Sequence, residues 1–156
     1  MDTRGFTLIE LIVVVIFLSI LAIIAVPRLS RVTDLKIAGA ADKIAADIRY
    51  AQQLSMSEGG KYAVKFETSP NGYYIFNDAN TNGIKDPSES YALDPQTNDS
   101  MIINLNTGVF DGITVDTAGY VRFDSKGVPN SSLTVTLNGG KKSINVVSQT
   151  GMVYVQ

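Results

Sequence analysis

FTLIELIVVVIFLSILAIIAVP, running from Phe6 to Pro27, follows the short polar stretch Met1-Asp-Thr-Arg-Gly5. From Leu11 to Val26 there is no charged residue, and Ser19 is the only hydroxyl. As a helix rising ~1.5 Å per residue, Phe6 to Val26 matches the ~30 Å hydrocarbon core of a bilayer. Glu10 interrupts the apolar run. A carboxylate at the centre of a membrane helix costs on the order of 2.5–3.5 kcal/mol, less near the end, and such groups are usually paired and functional. The expected partner is a positive group at the same depth on another molecule. A cut after Gly5 would create one, because Phe6 would then carry a free α-amine at the helix start, level with a neighbour's Glu10.

Gly5-Phe6-Thr7-Leu8-Ile9-Glu10 followed by a long apolar helix resembles the class III signal of type IV prepilins and type II secretion pseudopilins. The resemblance implies cleavage between Gly5 and Phe6 by a membrane prepilin peptidase and N-methylation of Phe6, which keeps the positive charge. It also implies a single-pass anchor in a bacterial inner membrane, a periplasmic domain, and incorporation into a pilus or pseudopilus beside other pilin or pseudopilin subunits. A secretory signal peptide fits less well: the core is too long, it contains Glu10, and Ala22 and Ala25 form no A-x-A site. A plain signal anchor matches the length and leaves Glu10 without a role. Arg28, Arg31 and Lys36 follow the span, whereas only Arg4 precedes it. The positive-inside rule alone would put the side after the span in the cytoplasm; the cleavage signal, which puts it outside, is the more specific of the two.

The chain has 156 residues, a formal net charge of −2, and no Cys, His or Trp. What lies beyond the apolar segment is enough for one domain with one core. No global basic field is present to recruit nucleic acid or anionic lipid. Without Cys or His there is no thiol nucleophile, no imidazole base and no Cys/His zinc site, which tilts function away from catalysis.

Pro27 marks a point where a helix loses one hydrogen bond and kinks or breaks. Ala38–Ser57, AGAADKIAADIRYAQQLSMS, continues as an amphipathic helix: Ile37, Ala41, Ile44, Ile48, Ala51 and Ser55 share one stripe, and Gly59-Gly60 stops it. From Lys61 the period changes to two, with Tyr62, Val64 and Phe66 on one face. Ser69-Pro-Asn-Gly72 then reads as a turn and Gly72–Asn77 as the returning strand of a hairpin. Short strands are predicted around Tyr91–Leu93, Met101–Leu105, Ile113–Val115, Tyr120–Phe123, Leu133–Leu137, Ser143–Val147 and Met152–Val155, punctuated by glycines. The expected architecture is α+β, with the stripe covering a face of an antiparallel sheet. The expected organisation is a leader over 1–5, an assembly helix over 6–27, an amphipathic helix over 28–60 and β structure over 61–156, with 28–156 forming one domain.

Tyr50-Ala-Gln-Gln-Leu-Ser55, Gly119-Tyr-Val-Arg-Phe123 with Gly127, and Ile144-Asn-Val-Val-Ser148 before Thr150-Gly151 resemble GspH/FimT-type minor pseudopilins. The resemblance implies a low-copy structural subunit that helps to start a helical filament or sits near its tip, in protein secretion or a pilus, and no enzyme. Some FimT-type members bind DNA for uptake, and Lys126, Lys141 and Lys142 could contact phosphates here. Those members carry arginines after the Thr-Gly pair, where this chain has Met152-Val153-Tyr154. DNA uptake is therefore the alternative, and nucleic acid is not the expected partner.

Asp78-Ala-Asn-Thr-Asn-Gly-Ile-Lys-Asp-Pro-Ser-Glu89 has the spacing of a twelve-residue calcium loop. Asp78, Asn80, Asn82, Asp86 and Glu89 would supply oxygens, Ile84 its carbonyl, and Gly83 the sharp turn. No cofactor is required for a structural role, and Ca²⁺ would serve to lock the loop. A strand precedes this loop where calcium loops have a helix, Lys85 and Pro87 are atypical, and a polar hairpin connection would use the same residues. Asn138-Gly-Gly-Lys-Lys-Ser143 lacks the first glycine of a phosphate loop and is read as a hairpin turn. Asp111, Asp116 and Asp124 have no spacing that singles out a catalytic pair.

Overall fold

The computed structural model describes the backbone of residues 7–156, and all of their side chains except those of 23–31. Gly5 and Phe6 lie outside the described residues. The chain divides into two compact units, one ending at Leu35 and one spanning Lys36–Gln156. The division falls within helix α1 (Leu8–Glu58), later than the Arg28 expected from sequence. α1 continues through Pro27, whose missing N–H removes one bond from the ladder without ending the helix.

In the first unit the large apolar side chains from Leu8 to Leu21 are exposed on every side of the helix, Leu8 at 76% and Val13 and Val14 at 45%. Among the described residues no helix is long and apolar enough to cross a membrane; the expected span over 6–27 lies partly outside them.

In the second unit one helical stripe meets two sheets. Ile37, Ala41, Ile44, Ile48, Ala51 and Ser55 are all buried, as the 3.6-residue period predicts. Alanines at two of those positions, Ala41 and Ala51, leave room for the larger side chains facing them. The helix stops where Gly59 takes the left-handed φ of 64° that a side chain resists.

β1 (Tyr62–Thr68) and β2 (Asn71–Asn77) form the expected hairpin, with Thr68 opposite Asn71. β1 also pairs with β4 (Gly119–Arg122), and β2 with the short β3 (Ile102–Asn104), giving the order β3-β2-β1-β4. β5 (Leu133–Leu137), β6 (Lys142–Val146) and β7 (Val153–Val155) form a separate antiparallel sheet. The single covered sheet expected from sequence is thus two sheets, which share one core. Tyr62, Val64, Phe66, Tyr73 and Ile75 from the first and Val135, Leu137, Ile144 and Val146 from the second pack with the stripe.

Two of the expected strands are reduced to isolated bridges. Tyr91 pairs with Phe76 and Leu93 with Ser100, while Val115 pairs with Leu137. Asn71 explains the second case. Its buried amide donates to the Ile113 carbonyl at 2.7 Å and accepts from the Val115 N–H at 2.9 Å, so a side chain takes the place of a neighbouring strand. On the helix side, Asp47 is buried and accepts the Tyr73 hydroxyl at 2.6 Å, with Lys43 one turn away at 2.6 Å. This polar clamp fastens α1 to β2.

The stripe supplies the first testable consequence. Ile48 is fully buried, so Ile48→Ala should lower the unfolding free energy by about 2–5 kcal/mol through lost burial and a residual cavity, read by denaturant titration. A loss below ~1 kcal/mol would mean that the stripe is not the main contact of the helix.

Candidate functional site

Glu10 sits in the first turn of α1. Its N–H donates to Thr7 Oγ1 at 3.3 Å, so Thr7 caps the helix. Thr7-Leu-Ile-Glu10 therefore has the spacing of a capping box, in which a glutamate three residues after the cap favours the helix start. That is a local reason for an acid at this position, and it was legible in the sequence as T-x-x-E. The Glu10 carboxylate itself is exposed, beside a shallow groove lined by Thr7, Ile9, Val13 and Val14. The expected cleavage and methylation positions, Gly5 and Phe6, lie outside the described residues.

The 78–89 loop closes through bonds among its own residues and a contact to β4. Asn80 Oδ1 accepts the Asn82 N–H at 3.0 Å, and Asn82 Oδ1 accepts the Ile84 N–H at 2.7 Å. Both asparagine amides donate to Asp86 Oδ2, and Glu89 Oε2 accepts the Asp86 N–H at 3.1 Å. Asn80, Asn82, Asp86 and Glu89 are thus brought together, while the Ile84 side chain is exposed.

Asp78 faces elsewhere. It is wholly buried, accepts the Gly83 N–H on both oxygens at 3.2 and 3.3 Å, and lies 3.4 Å from Arg122 Nη1. The same nitrogen donates to the Thr81 carbonyl at 2.9 Å. Among the described residues no group of three or more His, Cys, Asp or Glu is placed to hold a metal. Sequence reasoning missed Arg122, which is about forty residues away along the chain and reaches the loop only because β4 pairs with β1. At Gly83, φ is 71° and an added Cβ would lie 2.5 Å from Tyr120 Cζ.

The remaining acids are used locally. Asp116 Oδ2 accepts the Gly139 and Gly140 N–H groups at 2.7 and 3.2 Å, so the amides of the glycine turn hold a carboxylate of the chain itself. Asp124 Oδ1 accepts the Lys126 and Val128 N–H groups, closing a turn, and Asp111 follows the short 3-10 turn Gly108–Phe110. Lys126 lies in the Asp124 turn, whereas Lys141 and Lys142 lie at the β5–β6 hairpin.

Two tyrosines beside carboxylates are pushed up to about 12. Burial is the larger cause for each, followed by the Glu58 bond and charge for Tyr62 and the Glu67 charge and bond for Tyr74. A raised folded value favours the protonated phenol, so this stability is complete below the ordinary value of 10.0 and is lost as pH rises toward 12. Stability should therefore fall between pH 10 and 12, with a shallower slope in Tyr62→Phe, measured by denaturation across that range. An unchanged slope would remove Tyr62 from the account. Gly83→Ala should cost about 1–3 kcal/mol from its left-handed backbone and the Tyr120 contact, with faster amide exchange across Asp78–Glu89. Wild-type exchange there would show that Gly83 does not hold the loop.

A family model described as type II transport protein GspH matches residues 40–151. No curated protein matches the sequence. Among solved structures, the minor pseudopilin EpsH from the type 2 secretion system of Vibrio cholerae is similar in fold. Its TM-score is 0.50 at 13% identity, with 78% of this chain and 96% of that chain covered. The type IV minor pilin FimU of Pseudomonas aeruginosa gives a TM-score of 0.49 at 14% identity, covering 77% of this chain and 87% of that chain. The family match runs from the buried helical stripe to Gly151, past β6, and so spans most of the second unit's core. Such proteins are structural subunits and not enzymes. The chain belongs to the GspH family of type II transport proteins.

Proposed function

We propose that this subunit is made as a membrane-anchored prepilin, cut between Gly5 and Phe6, methylated at Phe6, and then drawn from the inner membrane into a filament. Prepilin peptidase and the other pilin or pseudopilin subunits are its partners, and bilayer lipid surrounds the helix before assembly. The observation that carries this is the helix beginning at Leu8, whose described apolar residues are exposed all round, with one acid in its first turn. A helix apolar on every side needs lipid or other helices around it. In the filament the methylated Phe6 amine pairs with Glu10 of a neighbour and sets the axial register, while the domain beginning at Lys36 faces the periplasm. A minor subunit with this build acts at initiation or at the tip.

The capping box gives a way to separate the two roles of Glu10. Glutamine serves a capping box as glutamate does, but it carries no charge. Glu10→Gln should keep the helix start and lower filament incorporation at least about tenfold, the order expected when a charge in an apolar setting loses its partner. Normal incorporation would exclude amine pairing. N-terminal mass spectrometry of the membrane fraction should find methylated Phe6 as the first residue, and an intact Met1 or an unmodified Phe6 would exclude the processing proposed.

We also propose that the 78–89 loop needs no metal, because Arg122 supplies the positive charge that Asp78 faces. Millimolar calcium should leave the melting temperature of the full-length chain unchanged relative to chelator. A rise that Asp78→Ala abolishes would establish calcium in place of the guanidinium.

A further inference from the structure

At the end of α1 a half-open cavity of about 310 Å³ lies between the last two helical turns and the segment that follows the 78–89 loop. Tyr50, Leu54, Glu58, Tyr62, Tyr91 and Leu93 line it. Its residues all belong to the second unit, and none has a part in the membrane helix or in the loop closure.

The chemistry of the walls is consistent. Leu54 and Leu93 offer apolar surface along the sides. Three tyrosine rings and a single carboxylate, that of Glu58, share the lining. The Tyr62 hydroxyl donates to Glu58 Oε2 at 2.5 Å, which orients that carboxylate, and no described group bonds its other oxygen. The Tyr50 hydroxyl donates to the Leu93 carbonyl at 3.0 Å and braces the helix against the opposite wall.

The local field is negative. Glu58 stands in the last helical turn, which has no basic residue, so its charge adds to the negative end of the helix dipole. Burial first, and then the charges of Glu58 and Asp94, push the Tyr50 phenol up. The nearest ammonium recorded against these rings is Lys85, 4.8 Å from the Tyr91 centroid, but its Nζ is turned to the Asp86 carbonyl at 2.7 Å. Tyr91 thus already accepts a cation at its ring, and among the described residues no cation pairs with Glu58.

We infer that this cavity is a docking pocket for a basic side chain, with arginine the best fit, presented by another protein chain. A long aliphatic stem would lie against Leu54 and Leu93, and the planar guanidinium would stack on a tyrosine ring and bond the open oxygen of Glu58. Phosphates and acidic peptides are repelled by the same field. The pocket does not depend on processing at Gly5 or on pairing at Glu10, so its failure would leave the filament role untouched.

The test uses the full-length chain in zwitterionic detergent with isotope-labelled tyrosine rings. It is titrated with Nα-acetyl-arginine methylamide and with the citrulline compound, which has the same shape and no charge. The Tyr50, Tyr62 and Tyr91 ring signals should shift saturably with the arginine probe, and citrulline should bind about fivefold more weakly, the order of a solvent-exposed charge pair. In Glu58→Gln that preference should vanish. If Glu58→Gln also shifts the melting temperature, Asp94→Asn supplies the second reading and should reduce the preference without touching the Tyr62 bond. No saturable shift, equal binding of the two probes by the wild type, or a preference that survives both substitutions would overturn the assignment.

Discussion

The compact part of this protein depends on one buried helical face. Ile37, Ile44 and Ile48 supply volume, and Ala41 and Ala51 let the sheets approach between them. Because both sheets use the same stripe, the helix joins strands that do not otherwise pair in one ladder: the two sheets are separate, and both contribute to one core. Burial alone leaves rotation and sliding of the helix weakly specified. Asp47 resolves this by taking the Tyr73 hydroxyl from β2, a directional bond in a water-poor place where a mispaired carboxylate would be costly.

Carboxylates elsewhere do the same kind of work. Asp78 gathers the Gly83 amide and the Arg122 guanidinium, Asp116 holds the glycine turn, and Asp124 closes the turn after β4. With no cysteine for a disulfide and no histidine, the loops are held by acids that accept backbone N–H groups.

Features set by local periodicity were legible in the sequence. The helix stripe, the Gly59 stop and the first hairpin depend on spacing within a few residues, and they stand where the pattern puts them. The division into two sheets was not legible, since strand pairing is decided over long separations and each short strand looks alike in isolation. The 78–89 spacing was read as that of a calcium loop, and the charge partner of Asp78 was hidden. Arg122 belongs to a different strand, and only the pairing of β4 with β1 brings it to Asp78. Asn71 misled in another way: a turn residue by composition, it is a buried surrogate strand that keeps Ile113–Val115 from forming a full one.

Glu10 shows how one residue serves two levels of organisation. At the local level it completes a T-x-x-E helix start, and its charge suits the positive end of the helix dipole. Those effects are satisfied within one chain and need no partner. They do not account for the apolar side chains that surround it from Leu8 to Leu21, which are exposed on every side and leave the carboxylate in a setting where a lone charge is expensive. An acid used only as a cap would sit more cheaply on a helix with a polar face. The combination of a capped, negatively charged start and a helix apolar all round is what the proposed pairing with a neighbour's helix start would use, since it matches the charge from outside the chain.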